Sequence, residues 1–156
     1  MIRVQIEDFD VGAEIRALTA GLADVGAVVT FTGVVRSGEG GSAIRALTLE
    51  HYPGMTEAEL ERIESEARER WPLNATLIVH RHGRLAPGDN IVLVITASKH
   101  RHAAFEAASF LMDYLKTSAP FWKKEELASG DSAWVGSRAA DDKAADRWAG
   151  KAKVGG

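Results

Sequence analysis

The order of helix-like and strand-like stretches predicts an α+β fold, a largely antiparallel sheet flanked by helices, rather than a doubly wound α/β sheet. Three observations carry the prediction. Residues 56–71 and 100–117 repeat apolar side chains at helical spacing, and each stretch is closed by a proline, Pro72 or Pro120. Asn74 to His82 and Asn90 to Ala97 both read as strands, joined by GRLAPGDN with its Pro87-Gly88 turn signal and no crossover helix. Gly26 to Arg36 and Ala43 to Tyr52 are likewise β-rich and separated only by SGEGGS, which has loop composition.

In chain order, Ile2 to Ile6 alternates like a short strand, and Asp10 caps a helix over VGAEIRALTAGL with Ile15, Leu18 and Leu22 as its apolar stripe. The β-branched stretch Gly26 to Arg36 puts Ala27, Val29, Phe31 and Val35 on one face and Val28, Thr30, Thr32, Val34 and Arg36 on the other. Gly33 within it marks a bulge or a close approach. The Ser37–Ser42 loop beside Arg36 reads as a flexible flap at a site edge, or as a plain hairpin loop with a solvated arginine. Thr56 and Glu59 read as a capping box opening a helix to about Trp71, with Leu60, Ile63 and Ala67 inward and charged residues outward. IVLVITA is apolar on both faces, so it is expected to be a buried central strand. It leads into a helix from His100 to Thr117, with Ser98 as N-cap and Ala104, Ala108, Leu111 and Leu115 inward. Phe121 to Leu127 reads as an edge strand, Ser132 to Val135 as another, and Ala139 to Trp148 as an Ala-rich helix. A flexible tail is expected from about residue 149.

A chain of 156 residues with 46% hydrophobic content suffices for one domain with a full core. The formal charge of −3, with no massed basic run, gives no global field for nucleic acid, so any anion site must be local. The absence of cysteine excludes disulfides, thiolate metal sites and a cysteine nucleophile or persulfide; if sulfur is handled, another molecule brings it. No charged leader precedes an apolar core and no apolar run approaches about 18 residues, so a cytoplasmic protein without membrane contact is expected.

The chemistry concentrates on TASKHRHAAFEAASFLMDYLKTSAPFWKKEE, residues 96–126. At its helix start, His100 and Arg101 stand where free N–H groups and the helix dipole favour an anion. At its end, Lys116 lies near the edge of the buried face, and Lys123 and Lys124 follow the turn at Pro120. Partial burial and neighbouring ammonium groups would lower the Lys116 pKa and fit it for proton transfer or transient acylation. The competing reading is a surface lysine paired with Asp113 three residues before it. His80-Arg81-His82 and His100-Arg101-His102 raise the question of a metal. An arginine interrupts each pair, and no acidic ligand accompanies either. Phe105, Phe110, Phe121 and Trp122 read as core, and the terminal Gly155-Gly156 as a frayed end.

Five motifs in register, GAVVTFTGVVR, LTLEHYPGMTEAEL, HRHGRLAPGD, SKHRHAAFEAASFLMDYLK and SAPFWKKE, make the chain resemble the family of molybdopterin synthase catalytic (large) subunits from about residue 3 to Trp148. The resemblance implies an α/β hammerhead fold and a homodimer carrying a small ubiquitin-like sulfur-carrier subunit at each end, a heterotetramer overall. It implies sulfur transfer from the carrier's Gly-Gly thiocarboxylate to cyclic pyranopterin monophosphate, without metal or redox cofactor, to build the dithiolene of molybdopterin. By the same resemblance Lys116 and Lys123 are the catalytic lysines. Val34, Val35, Arg36, His100, Arg101, Lys124, Glu125 and Arg138 join them in binding substrate, Arg36 from its own or the neighbouring subunit. A metal-dependent hydrolase using the H-x-H pairs and a non-catalytic adaptor for a ubiquitin-like protein are the competing classes.

Overall fold

The computed structural model describes residues 1–38, 43–135 and 139–149, leaving aside the side chains of 139–141. Arg138, most of the Ser37–Ser42 loop, the tail beyond 149 and Gly155-Gly156 lie outside the described residues. The elements run β1 (Ile2–Gln5), α1 (Val11–Thr19), β2 (Ala27–Val34), β3 (Ile44–His51), α2 (Met55–Arg70), β4 (Leu73–Arg81), β5 (Gly83–Leu85), β6 (Asn90–Ser98), α3 (Arg101–Thr117), β7 (Phe121–Leu127), β8 (Ser132–Val135) and α4 (Ala139–Asp146). They build two four-stranded sheets, ordered β1-β4-β6-β2 and β5-β3-β7-β8, antiparallel throughout except where β1 pairs parallel with β4. Among the described residues no helix is long and apolar enough to cross a membrane.

β6 is internal to the first sheet, and its alternating side chains serve two cores. Val92 and Val94 pack with Ile78 against α2 and α3, around Ile63, Phe110 and Leu111. Leu93 and Ile95 pack with Leu77 and Val79 against Phe9 and the α1 residues Val11, Ile15 and Leu18. A strand covered on both faces must be apolar on both, which is why IVLVITA carries no polar alternation. A third cluster, Val35, Leu47, Leu49 and Leu85, lies on one face of the second sheet. Trp71, Phe110 and Trp148 meet edge to face, with centroids 5.3–5.6 Å apart, and hold the segment after α4 onto α3. Such contacts add about 0.5–1.5 kcal/mol each beyond area burial.

Several local expectations are corrected. α1 stops at Thr19, because Gly21 takes φ 76° and turns the chain, leaving Leu22 exposed. α2 begins at Met55 after Gly54 at φ 88°, and it is Glu57, not Glu59, whose carboxylate accepts the Gly54 N–H at 2.6 Å. Thr56 is fully buried and donates its hydroxyl to the Tyr52 carbonyl at 2.8 Å. Ser98 closes β6, its hydroxyl donating to the Pro72 carbonyl at 2.7 Å, so the α3 N-cap falls to His100. The GRLAPGDN connection is more than a hairpin turn, since Gly83–Leu85 leaves the first sheet and pairs with β3 in the second. β7 is an inner strand between β3 and β8. Phe105 and Trp122 are exposed rather than core. β2 ends at Val34 through a register shift at Gly33/Val34, so Val35 turns into the third cluster and Arg36 lies beyond the strand.

Candidate active site

The two sheets and the end of α3 enclose a cavity of about 280 Å³. Phe31 to Val34 of β2 form one wall, Met112, Leu115 and Lys116 of α3 a second, and Ala119, Phe121 and Lys123 a third, with His80, Ile91 and Val92 behind. Lys116 reaches it because four residues separate it from Met112 on the same helix face. Lys123 reaches it through strand alternation. Phe121, Lys123 and Glu125 stand opposite His51, Leu49 and Leu47, and the two leucines are buried, so that face of β7 turns inward. Lys124 stands opposite Thr48 on the other face, its ammonium 5.9 Å from the centre of the Trp134 ring. Two lysines from different elements therefore line one cavity whose remaining walls are mostly apolar side chains.

The sequence-predicted residues divide into three groups. Lys116, Lys123 and Val34 line the cavity, and Arg36 follows Val34 by two residues as an exposed side chain. Glu125 shares the face of Lys123 without lining the cavity, Val35 is buried beside it in the third cluster, and Lys124 faces away. His100 and Arg101 are exposed at the opposite end of α3. From Arg101 to Lys116 the helix rises about 22 Å at 1.5 Å per residue, so one chain does not bring His100 and Arg101 to its own lysines. β2 runs the same course, from Ala27 opposite Ser98 to Val34 opposite Asn90, which puts Arg36 at the lysine end.

Lys116 does not pair with Asp113. The Asp113 carboxylate accepts Trp148 Nε1–H at 2.6 Å and lies 3.2 Å from the Arg147 guanidinium, while Lys116 has no ion pair among the described residues. The surface-pair reading of this lysine is thereby removed. Lys116 is nonetheless exposed rather than partly buried.

Sequence reasoning missed His80 as a cavity residue. It is 8% exposed, its ring stacks on Phe121 at 3.7 Å and 17°, and Nδ1–H donates to the Arg81 carbonyl at 2.8 Å. That bond fixes the tautomer and leaves Nε2 as an acceptor. Burial, then the charges of Lys123, Lys116 and His51, push its pKa down to about 3, against the bond to Arg81, so the imidazole is neutral. The available signal was a histidine near the end of a largely apolar strand, in phase with Ile78. His100 and His102 are exposed, and among the described residues no three His, Asp or Glu side chains are grouped to hold a metal ion.

Comparison with known proteins gives one consistent result. The family model described as MoaE protein matches residues 4–118. The molybdopterin synthase catalytic subunit of Mesorhizobium japonicum is 60% identical over 148 residues, 94% of this chain and 92% of that relative. The solved MoaE protein of Burkholderia ambifaria superposes with a TM-score of 0.82 at 50% identity, covering 97% of this chain and 99% of the other. A chain of the molybdopterin synthase crystal structure from Staphylococcus aureus does so at 0.79 with 35% identity, covering 86% and 96%.

Proposed function

The chain belongs to the MoaE protein family, and on that premise we propose that it is a sulfurtransferase, acting as one catalytic domain in the cytoplasm as the catalytic subunit of molybdopterin synthase. A small ubiquitin-like carrier inserts its Gly-Gly thiocarboxylate beside Lys116 and Lys123, and the acceptor is cyclic pyranopterin monophosphate. The observation that carries this reading is the convergence of those two lysines, from the end of α3 and from β7, on one cavity with apolar walls.

The two ammonium groups neutralise the incoming thiocarboxylate. The carrier sulfur attacks an oxygen-bearing carbon of the acceptor side chain; the carbon–sulfur bond forms as that carbon's bond to oxygen breaks, the oxygen leaving with a proton supplied by a lysine, so that a thioester joins acceptor and carrier. Water then adds to the carrier's carbonyl, the C–S bond breaks, the carrier leaves as a carboxylate, and sulfur remains on the acceptor. The oxyanion of that addition develops beside the lysines, where fixed positive charge stabilises it most. A second carrier repeats the step and completes the dithiolene. One lysine also transfers a proton.

The acceptor's phosphate needs a partner that a single chain does not bring to the lysines. We assign it to Arg36 of the same chain together with the partner subunit's His100 and the partner subunit's Arg101, at an α3 start that no side chain caps. Arg138 is a further pocket residue in this reading.

The test is a single-turnover reaction with thiocarboxylated carrier and cyclic pyranopterin monophosphate, following the dithiolene product as its oxidised fluorescent derivative. Product should form with the wild type and vanish with Lys116→Ala while the carrier still binds. No product from a confirmed complex would leave only an adaptor for the carrier.

A further inference from the structure

On α3, at 100° per residue, Lys116 lies about 40° from Met112, which lines the cavity, and about 60° from Asp113 on its other side. The lysine can lean either way, and an unoccupied carboxylate at i−3 would draw it off the cavity. In the structure that carboxylate is occupied. Trp148, 2% exposed and packed between Trp71 and Phe110, donates Nε1–H to Asp113 Oδ2 at 2.6 Å. Arg147, its guanidinium 4.4 Å from the Trp148 ring centre, approaches the same oxygen at 3.2 Å and donates to Ser109 Oγ at 2.5 Å. The Asp113 side chain is 18% exposed, and its side-chain partners among the described residues, Arg147 and Trp148, both come from the segment after α4.

We propose that Arg147 and Trp148 form a C-terminal latch that occupies Asp113 and thereby keeps Lys116 available to the cavity. They are positioning residues for the sulfur-transfer lysine, acting through Asp113 and touching no substrate. This rests on the function proposed above, and its primary readout is independent of that function. Among the described residues lining the cavity, the other charged or titratable side chains are Lys123, which repels Lys116, and His80, which is neutral; Arg36 at this end of β2 is a further cation, and Glu125 lies on the Lys123 face of β7 outside the lining. Asp113 is thus the acid placed to capture it.

The experiment titrates the Lys116 side chain by NMR in protein carrying 13C-lysine, the resonance being assigned by its loss in Lys116→Ala. Arg147→Gln and Trp148→Phe are compared alone and together, each with and without Asp113→Asn. In the double latch variant the Lys116 midpoint should rise by about half a pH unit, as for a partly exposed ion pair. Single-turnover sulfur transfer should fall about threefold. Adding Asp113→Asn should reverse both changes. Arg147→Gln alters a half-exposed side chain and keeps the test open if Trp148→Phe does not fold. An unmoved midpoint in folded latch variants, or a loss of transfer that Asp113→Asn leaves in place, overturns the latch. Absence of transfer in the wild type with the midpoint shift still present would strike the sulfur-transfer reading and leave the latch standing.

Discussion

His80→Phe tests the electrostatics of the cavity through stability alone. The folded pKa of about 3 lies below the ordinary 6.5, so the unfolded chain takes up the proton first, and the folded state loses stability as pH falls from 6.5 towards 3. Between those limits the whole effect is about 5 kcal/mol at 1.36 kcal/mol per pKa unit. Between pH 7 and pH 5 it is about 2 kcal/mol, because only the unfolded state titrates appreciably there. Phenylalanine preserves a ring against Phe121 and removes the Nδ1–H bond to Arg81, a loss of about 1 kcal/mol that does not vary with pH. Urea unfolding at the two pH values measures the difference directly. Wild type should lose about 2 kcal/mol more than His80→Phe on going from pH 7 to pH 5. Equal losses would mean that His80 is protonated in the folded protein, and the neutral acceptor in the cavity wall would have to be abandoned.

Mixing Lys116→Ala with Arg101→Ala should restore about a quarter of wild-type turnover, since half the dimers are mixed and each holds one intact site if Arg101 serves the neighbouring chain. No recovery in dimers shown to have exchanged would place Arg101 with its own lysines. Lys123→Ala should lower single-turnover sulfur transfer far more than Lys124→Ala, because only Lys123 turns towards the cavity; equal losses would contradict that assignment. In Gly26→Ala the new Cβ would stand 2.2 Å from the Lys99 carbonyl oxygen, a backbone atom that cannot rotate away. A cost of about 3 kcal/mol is expected, or roughly 10 °C in Tm by calorimetry for a chain of this length.

The parts of this fold that could be read from the sequence are those set by local periodicity. β6 announced its burial through apolar residues on both faces, and α3 announced its inward stripe through Ala104, Ala108, Leu111 and Leu115, three of them among the main-core residues. What escaped depends on partners distant in sequence. Nothing near Phe121 states that β8 will cover the far side of β7, and nothing near Gly83 states that β3 will draw it into a second sheet. Helix starts failed for a related reason: Ser98 and Thr56 have cap chemistry, but their hydroxyls were claimed by the Pro72 and Tyr52 carbonyls. Lys116 and Lys123 were legible as lysines near the end of one helix and beyond its turn. That Asp113 would be taken by Trp148, 35 residues away, was not.

The same helix explains why sequence proximity misleads about the site. His100, Arg101 and Lys116 sit on one short stretch, yet α3 is a rigid spacer of 17 residues that holds its two ends about 24 Å apart. In the function proposed above, one chain thus presents half of two sites, the groups assigned to the phosphate at one end of α3 and the lysines with Arg36 at the other. A two-fold dimer resolves this, because under that symmetry whatever end of the first chain meets the second, the reciprocal contact forms as well. Two complete and equivalent sites would result from one such interface, each with lysines and Arg36 from one subunit and the helix start from the other. Oligomerisation in this reading completes the acceptor site, so a variant that dissociates the dimer should lose binding of cyclic pyranopterin monophosphate while keeping its carrier. Equilibrium dialysis of the acceptor against such a monomer measures this, and undiminished binding would return His100 and Arg101 to a role outside the site.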